Sequence, residues 1–170
     1  MVQYTSVRPN IKSGDLLAWS HHGWDSWHNL KVQAVRMATR SEYSHVAMAW
    51  ITGGRVMVLE AVMPRVRIFP LSLLLPCHWY PLGLEWTKET EDAALECVGE
   101  PYSQKQAIAA FFGHLVLGGD RAWQCAEYVI QRNGAGFQCQ AVPAAIVLTA
   151  QERGSPGYYI TKQGGLPCPD

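Results

Sequence analysis

Residues 43–62, with the sequence YSHVAMAWITGGRVMVLEAV, decide the fold that we predict for this chain. Apolar runs of strand character flank the pair Gly53-Gly54. Two adjacent glycines are typical of a tight hairpin turn, because both central positions of that turn need a positive φ. The pattern therefore predicts a β-hairpin in which Thr52 pairs with Arg55.

This register places a histidine and a carboxylate side by side. Ala47 faces Glu60 across the hairpin, and side chains alternate between the faces of a strand, so His45 lies on the same face, diagonal to Glu60. A carboxylate beside one imidazole nitrogen fixes the tautomer and stabilises the imidazolium, while the other nitrogen can take a proton from a thiol. Glu60 is otherwise an unusual residue within so apolar a strand.

A candidate thiol follows in residues 124–130, QCAEYVI, which predict the first turns of a buried helix. The partial positive charge at a helix N-terminus favours the nucleophilic thiolate form of a cysteine placed there. Alone, Cys125 is typical of a small buried hydrophobe, His45 of a core histidine and Glu60 of an edge-strand charge. Together, in these backbone settings, the three favour nucleophilic catalysis.

Three segments resemble the strand block of NlpC-like cysteine peptidases of the papain-like superfamily: GDLLAW at 14–19, SHVAM at 44–48 and GGRVMVLEA at 53–61. In ordinary members the cysteine helix precedes this block, whereas here Cys125 follows it. The order resembles the circularly permuted branch, which includes the YiiX-like proteins and lecithin-retinol acyltransferase relatives. The Tyr-Ser-His and Leu-Glu-Ala segments look most like the YiiX-like group, and the resemblance covers about 13–143.

The resemblance implies an α+β fold of the permuted papain-like type, with a small antiparallel sheet packed against helices that include the cysteine helix. It also implies roles: Cys125 as nucleophile, His45 as general base and then acid, and Glu60 as the residue that orients His45. Family members cleave peptide or isopeptide amides of bacterial cell walls, or act on acyl esters and amides of lipids.

We therefore expect a cysteine hydrolase that works through a thioester, most simply an amidase or peptidase acting on cell-wall peptide or related amide bonds. Two alternatives stay open. The first is an acyltransferase or thioesterase acting on lipid acyl groups, and the second is a non-catalytic binding module in a virion or cell-wall assembly. The intact Cys, His and Glu set favours an enzyme, whose partner is a peptide-like or acyl substrate and which needs no cofactor.

Four residues are candidates for the substrate side of the site. Trp24 and Trp27 belong to a loop that we expect to wall the cleft, and Gln124 directly precedes the nucleophile. Tyr43, or a group in that loop, is a candidate for the second oxyanion donor, beside the backbone N–H of Cys125.

The same loop carries His22, Asp25 and His28, whose spacing could place three metal ligands on one face of a helix. Gly23 weakens a helix through this stretch, and the thiol mechanism needs no metal, so we predict no metal site.

Composition excludes several other classes of protein. Lys and Arg total 14, as do Asp and Glu, and with this zero net charge and no basic stripe we expect no nucleic-acid partner. Apolar stretches are broken by prolines or glycines, so no transmembrane segment is predicted. Residues 1–10 lack an apolar signal core. We expect a cytoplasmic protein, or one delivered without a classical signal peptide, such as a phage protein or an effector.

The chain of 170 residues predicts one domain over 1–170, with its core at about 13–160. Five cysteines, an odd number with no Cys-x-x-Cys pair, argue against a complete disulfide framework. Cys77 beside His78 is the rival thiol and imidazole pair, but neighbours on an extended segment point to opposite faces.

Hydrophobic patterning predicts the remaining elements. Besides the hairpin, strands are expected at about 15–19, 65–69 and 78–80, helices at about 27–38, 90–98, 104–117, 125–132 and from 143 to about 148, and a loose tail at 164–170.

Overall fold

The computed structural model describes residues 1–20, 43–103 and 123–162. These residues form seven strands and four α-helices, which we number in chain order. The strands are β1 (Val2–Gln3), β2 (Leu16–Ser20), β3 (Tyr43–Thr52), β4 (Arg55–Val62), β5 (Arg65–Pro70), β6 (Cys77–Tyr80) and β7 (Tyr158–Thr161). The helices are α1 (Tyr4–Val7), α2 (Lys88–Glu96), α3 (Cys125–Arg132) and α4 (Pro143–Glu152). The predicted helices at 27–38 and 104–117 and the tail at 164–170 lie outside the described residues.

The fold is α+β, as predicted, and all seven strands belong to one sheet in the order β1-β7-β6-β2-β3-β4-β5. The sheet is larger than the small antiparallel sheet expected. Both ends of the described chain join it, since Val2 of β1 pairs in parallel with Ile160 of β7. Because β1 and β7 lie far apart in the sequence, their parallel pairing produces no local sequence pattern. Neither strand was therefore predicted.

The central hairpin has the register that its glycines predict. Thr52 pairs with Arg55, and Gly53 and Gly54 have φ values of 55° and 71°. The ladder runs on to the pair Met48 and Leu59.

Two hydrophobic clusters cover the two faces of the sheet. Val46 and Met48 of β3 share the first cluster with buried residues of α2, α3 and α4. Ala47 and Ala49 of the same strand belong to the second cluster. The three longer helices therefore pack on the face of Val46 and Met48, as the alternation of side chains along a strand requires.

An extended segment links β5 to the start of α3. Val66 N–H donates to the carbonyl of Glu100 at 2.9 Å, and Gly99 N–H donates to the carbonyl of Val66 at 2.9 Å. Tyr102 then forms a parallel bridge with Trp123, two residues before Cys125. These backbone hydrogen bonds set the position of the cysteine helix relative to the β4–β5 edge of the sheet.

Capping residues explain where the helices begin and end. α2 begins at Lys88 rather than near residue 90, because the Thr87 side chain accepts a hydrogen bond from the Thr90 N–H and caps the first turn. α4 extends past the predicted residue 148 to Glu152, since the first residue after it with a positive φ is Gly154. None of the described helices is long and apolar enough to cross a membrane.

Candidate active site

The imidazole of His45 is held by a buried carboxylate. Nε2 of His45 lies 2.7 Å from Oε2 of Glu60, and the side chains are 22% and 3% exposed. Removing a carboxylate from water is costly unless it is paired, so the bond to His45 accounts for part of what keeps Glu60 in the interior. The predicted diagonal relation between His45 and Glu60 is present.

The second oxygen of Glu60 is bound by an arginine from the neighbouring strand. Arg67 pairs directly with Glu60 across β4 and β5. Its Nε and Nη2 each lie 2.7 Å from Oε1 of Glu60. Burial raises the pKa of Glu60, but His45 and then Arg67 more than offset it, so the pKa of Glu60 is lowered from 4.5. Glu60 therefore carries a negative charge at neutral pH.

Cys125 is the first residue of α3 and is buried. Gln124 caps the helix, because its side-chain oxygen accepts a hydrogen bond from the Ala126 N–H at 3.1 Å. The first N–H groups of a helix have no partner within it, so the Cys125 N–H is suited to bind an oxyanion.

The side chain of Cys125 acts on the pKa of His45. Burial is the largest influence on this pKa and lowers it. Hydrogen bonding to the side chains of Cys125 and Glu60, together with the negative charges of both, outweighs burial and raises this pKa from 6.5 to about 10. His45 is therefore a stronger base than a free imidazole, since Glu60 and a Cys125 thiolate both favour its protonated form.

The position of His45 coincides with an irregularity in the sheet. Trp19 pairs with His45, but the next pair is Ser20 with Tyr43, so β3 has an extra residue here. Such a bulge bends a strand and re-aims the side chains beside it. The Trp19 ring also packs against the imidazole, with 5.3 Å between ring centroids, and its Nε1 donates to the Leu74 carbonyl at 2.7 Å.

Cys125 also acts on Tyr102. Tyr102 is half-buried against the first core cluster, which includes Cys125. Burial raises its pKa, and the charge of Cys125 raises it further. The phenol therefore keeps its proton and can donate a hydrogen bond.

Of the four predicted substrate-side residues, two lie within the described part of the chain, and both form hydrogen bonds within the protein. The Tyr43 hydroxyl lies 2.7 Å from the Tyr80 hydroxyl, and the Gln124 Nε2 donates to the Ala141 carbonyl at 2.7 Å. Gln124 thus has a structural role at the start of α3, and its contact with substrate stays a prediction. Trp24 and Trp27 lie outside the described residues.

The rival pair does not form a second site of this kind. Cys77 is buried in the second cluster, and burial raises the pKa of its thiol to about 12. His78 contacts aromatic rings, at 5.3 Å from Tyr43 and 4.9 Å from Tyr159. Cys77 is therefore a protonated core residue.

Within residues 1–20, 43–103 and 123–162, no group of three or more His, Cys, Asp or Glu side chains is placed to hold a metal ion. The loop histidines His22 and His28, with Asp25, lie outside these ranges.

Two further residues, Arg67 and Tyr102, act on the candidate site and were not predicted from the sequence. The position of Arg67 could have been predicted from the sequence. A two-residue turn at 63–64 implies a strand register in which Arg67 faces Glu60. No sequence pattern predicts the position of Tyr102, since its place relative to Cys125 depends on the bridge to Trp123.

No protein-family model matches this sequence, and the curated proteins contain no match to it. Among solved structures, the chain is similar to metalloprotein YiiX from Escherichia coli O157:H7. The TM-score is 0.54 at 20% sequence identity, over 76% of this chain and 69% of that chain. The fold is therefore YiiX-like.

Proposed function

We propose that this chain is a cysteine hydrolase that works through a thioester and cleaves amide bonds of cell-wall peptides or related peptides. The observation that carries the proposal is the buried Glu60, bound to His45 at 2.7 Å, beside a thiol that interacts with the same imidazole. A thiol, an imidazole and an orienting carboxylate in contact are the parts that nucleophilic catalysis requires.

Acylation follows from these contacts. The Cys125 thiolate attacks the carbonyl carbon of the substrate, and the carbonyl oxygen becomes an oxyanion. The imidazolium of His45 gives its proton to the leaving nitrogen as the C–N bond breaks. An amine departs, an acyl thioester forms on Cys125, and His45 is left neutral.

Deacylation reverses the role of His45. The neutral imidazole takes a proton from water, and the oxygen of that water attacks the thioester carbonyl. The C–S bond breaks, a carboxylic acid is released, and the thiolate and imidazolium are restored. An acceptor other than water in this step gives acyl transfer.

Two groups are candidates to bind the oxyanion. One is the backbone N–H of Cys125 at the start of α3, and the other is the Tyr102 hydroxyl. A preorganised donor of this kind contributes about 10²–10³ in rate. Tyr43, the sequence-based candidate for the second donor, stays a prediction.

The chain order His45, Glu60, Cys125 supports a permuted papain-like arrangement, in which the cysteine helix follows the strands that carry the base. The YiiX-like fold is compatible with this proposal.

Intact-mass measurement tests the proposal. The protein is exposed separately to peptidoglycan fragments and to a p-nitrophenyl acyl ester, as wild type, Cys125→Ala and Cys139→Ala. Cys139 is a half-buried free thiol, so its variant is the matched control. We expect an acyl adduct in the wild type and Cys139→Ala, and none in Cys125→Ala.

The two substrates separate the alternatives. Release of amine from peptidoglycan fragments supports the amidase, whereas an adduct from the acyl ester alone favours an acyltransferase or thioesterase. The absence of an adduct and of turnover with both substrates favours a binding module.

A further inference from the structure

Arg67 binds the carboxylate of Glu60 through two of its nitrogens. The proposed mechanism gives this arginine no role. The two oxygens of Glu60 are divided between two partners: Oε1 accepts from Nε and Nη2 of Arg67, and Oε2 is bound to Nε2 of His45, all at 2.7 Å. The carboxylate cannot rotate without breaking one of these contacts.

Arg67 is itself held in place. Its guanidinium carbon lies 4.7 Å from the centroid of the Phe69 ring, two residues along the same strand. A guanidinium stacked on an aromatic face is stabilised by the negative potential of that face. The side chain is 40% exposed, so the cation keeps contact with water while its fork reaches the buried carboxylate.

We propose that Arg67 is a positioning residue that acts on His45 through Glu60: it binds Oε1, and its charge offsets part of the negative charge that Glu60 presents to the imidazole. This inference rests on the proposed function for its chemical consequence, although the effect on His45 is measurable without any substrate.

The chemical consequence concerns the proton of His45. The imidazolium must stabilise the thiolate of Cys125, and it must also release its proton to the leaving group. A carboxylate with no second partner holds the imidazolium proton more tightly and opposes the second step. By sharing Glu60, Arg67 keeps His45 able to act as an acid.

Two described groups act on the pKa of His45: Cys125 from α3 and Glu60 from β4. Arg67 of β5 binds Glu60, and Cys125 also acts on the pKa of Tyr102. Replacing Cys125 by Ala removes the thiol and leaves Glu60, with Arg67 bound to it, as the charged neighbour of the ring.

The experiment is an NMR titration of ¹⁵N-labelled histidine side chains in the Cys125→Ala protein, with His45 assigned through His45→Gln. Three further variants are added singly: Arg67→Gln removes the charge and the fork, Arg67→Lys keeps the charge, and Arg65→Gln is the matched control. Arg65 is a cation on the same strand and face, and it donates to the Gly99 carbonyl at 3.2 Å.

In Arg67→Gln we expect the titration midpoint of His45 to rise by at least about half a pH unit, since a like charge has been removed. In Arg67→Lys and Arg65→Gln we expect the titration midpoint of His45 to stay near its value in the Cys125→Ala protein. A midpoint in Arg67→Gln that is unchanged, lowered or equal to that of Arg65→Gln overturns the proposal, even if thermal stability falls.

The acyl-adduct measurement on Cys125 is a separate test. If no adduct forms but the His45 midpoint rises, Arg67 still acts on His45 through Glu60 and the proposed function alone is wrong. If adducts form and the midpoint does not move, the proposed function stands without this role for Arg67.

Discussion

Nε2 of His45 is bound to Oε2 of Glu60 at 2.7 Å, which leaves Nδ1 as the ring nitrogen for the thiol of Cys125. This relation assigns the two nitrogens their roles. Nε2–H donates to the carboxylate, and in the proposed mechanism Nδ1 exchanges a proton with sulfur and then with the leaving group. One hydrogen bond therefore sets the direction of the proton path through the ring in that mechanism.

The first prediction concerns the reactivity of Cys125. If His45 and Cys125 form the ion pair of the proposed mechanism, Cys125 should react with iodoacetamide at about pH 6, at least about tenfold faster than Cys139. Cys77, whose pKa is raised by burial, should stay unmodified in the folded protein. Peptide mass spectrometry after timed labelling measures all three sites. His45→Ala should remove the advantage, and equal rates at Cys125 and Cys139 in the wild type would argue for a binding module.

The second prediction distinguishes the role of Glu60 from that of the nucleophile Cys125. Cys125→Ala should abolish turnover, whereas Glu60→Gln should fold and keep a reduced rate. In a serine protease, a worked example of this chemistry, replacing the triad carboxylate by its amide costs about 10⁴-fold, and a thiol needs less help from the base than a hydroxyl does. We therefore expect a loss smaller than about 10⁴-fold in kcat. Full activity in Glu60→Gln would show that another group orients His45.

The third prediction distinguishes two tyrosines. Tyr102→Phe should lower kcat by about 10²–10³-fold with little change in thermal stability, because an oxyanion donor acts mainly in the transition state. Tyr43→Phe is the matched control, since it removes a hydroxyl that is bonded to Tyr80 instead. Steady-state rates on the same substrate measure both. A larger loss in Tyr43→Phe would return the donor role to Tyr43.

The fourth prediction is a pH dependence of folding stability. The pKa of Glu60 is lowered in the folded state, so its charge stabilises the fold above about pH 4.5, and this contribution is lost as the pH falls through the folded-state pKa. At neutral pH, Glu60→Gln should lose about 1.5–3 kcal/mol, the range for hydrogen bonds to a charged group.

Urea unfolding of the wild type and Glu60→Gln at a series of pH values measures this difference. It should shrink progressively below about pH 4.5. A difference that stays constant down to pH 3 would mean that Glu60 is not held as a carboxylate by His45 and Arg67.

Local sequence patterns sufficed where one turn or one helix end controls the geometry. Gly53 and Gly54 determine the register of β3 and β4, because the tight turn they form permits one pairing, and this places Glu60 diagonal to His45. Cys125 at the start of α3 was predicted from the apolar pattern after it. A register argument through the turn at 63–64 would also have placed Arg67 opposite Glu60.

No local sequence pattern predicts that Cys125 lies near His45. Alternation along β3 assigns His45 to the face of Ala47, which lies in the second cluster, whereas Cys125 belongs to the first. His45 lies where β3 has an extra residue opposite Trp19 and Ser20, and the bridge of Tyr102 to Trp123 helps to position the start of α3.

The sequence by itself therefore determined the parts of this site: a histidine and a glutamate in one hairpin, and a cysteine at a helix start. Only the tertiary structure decided that the parts come together and that Arg67 shares Glu60. The physical reason is that hairpin register and helix capping depend on a few neighbouring residues. Contacts between distant segments depend on how the whole sheet pairs and which face each helix covers.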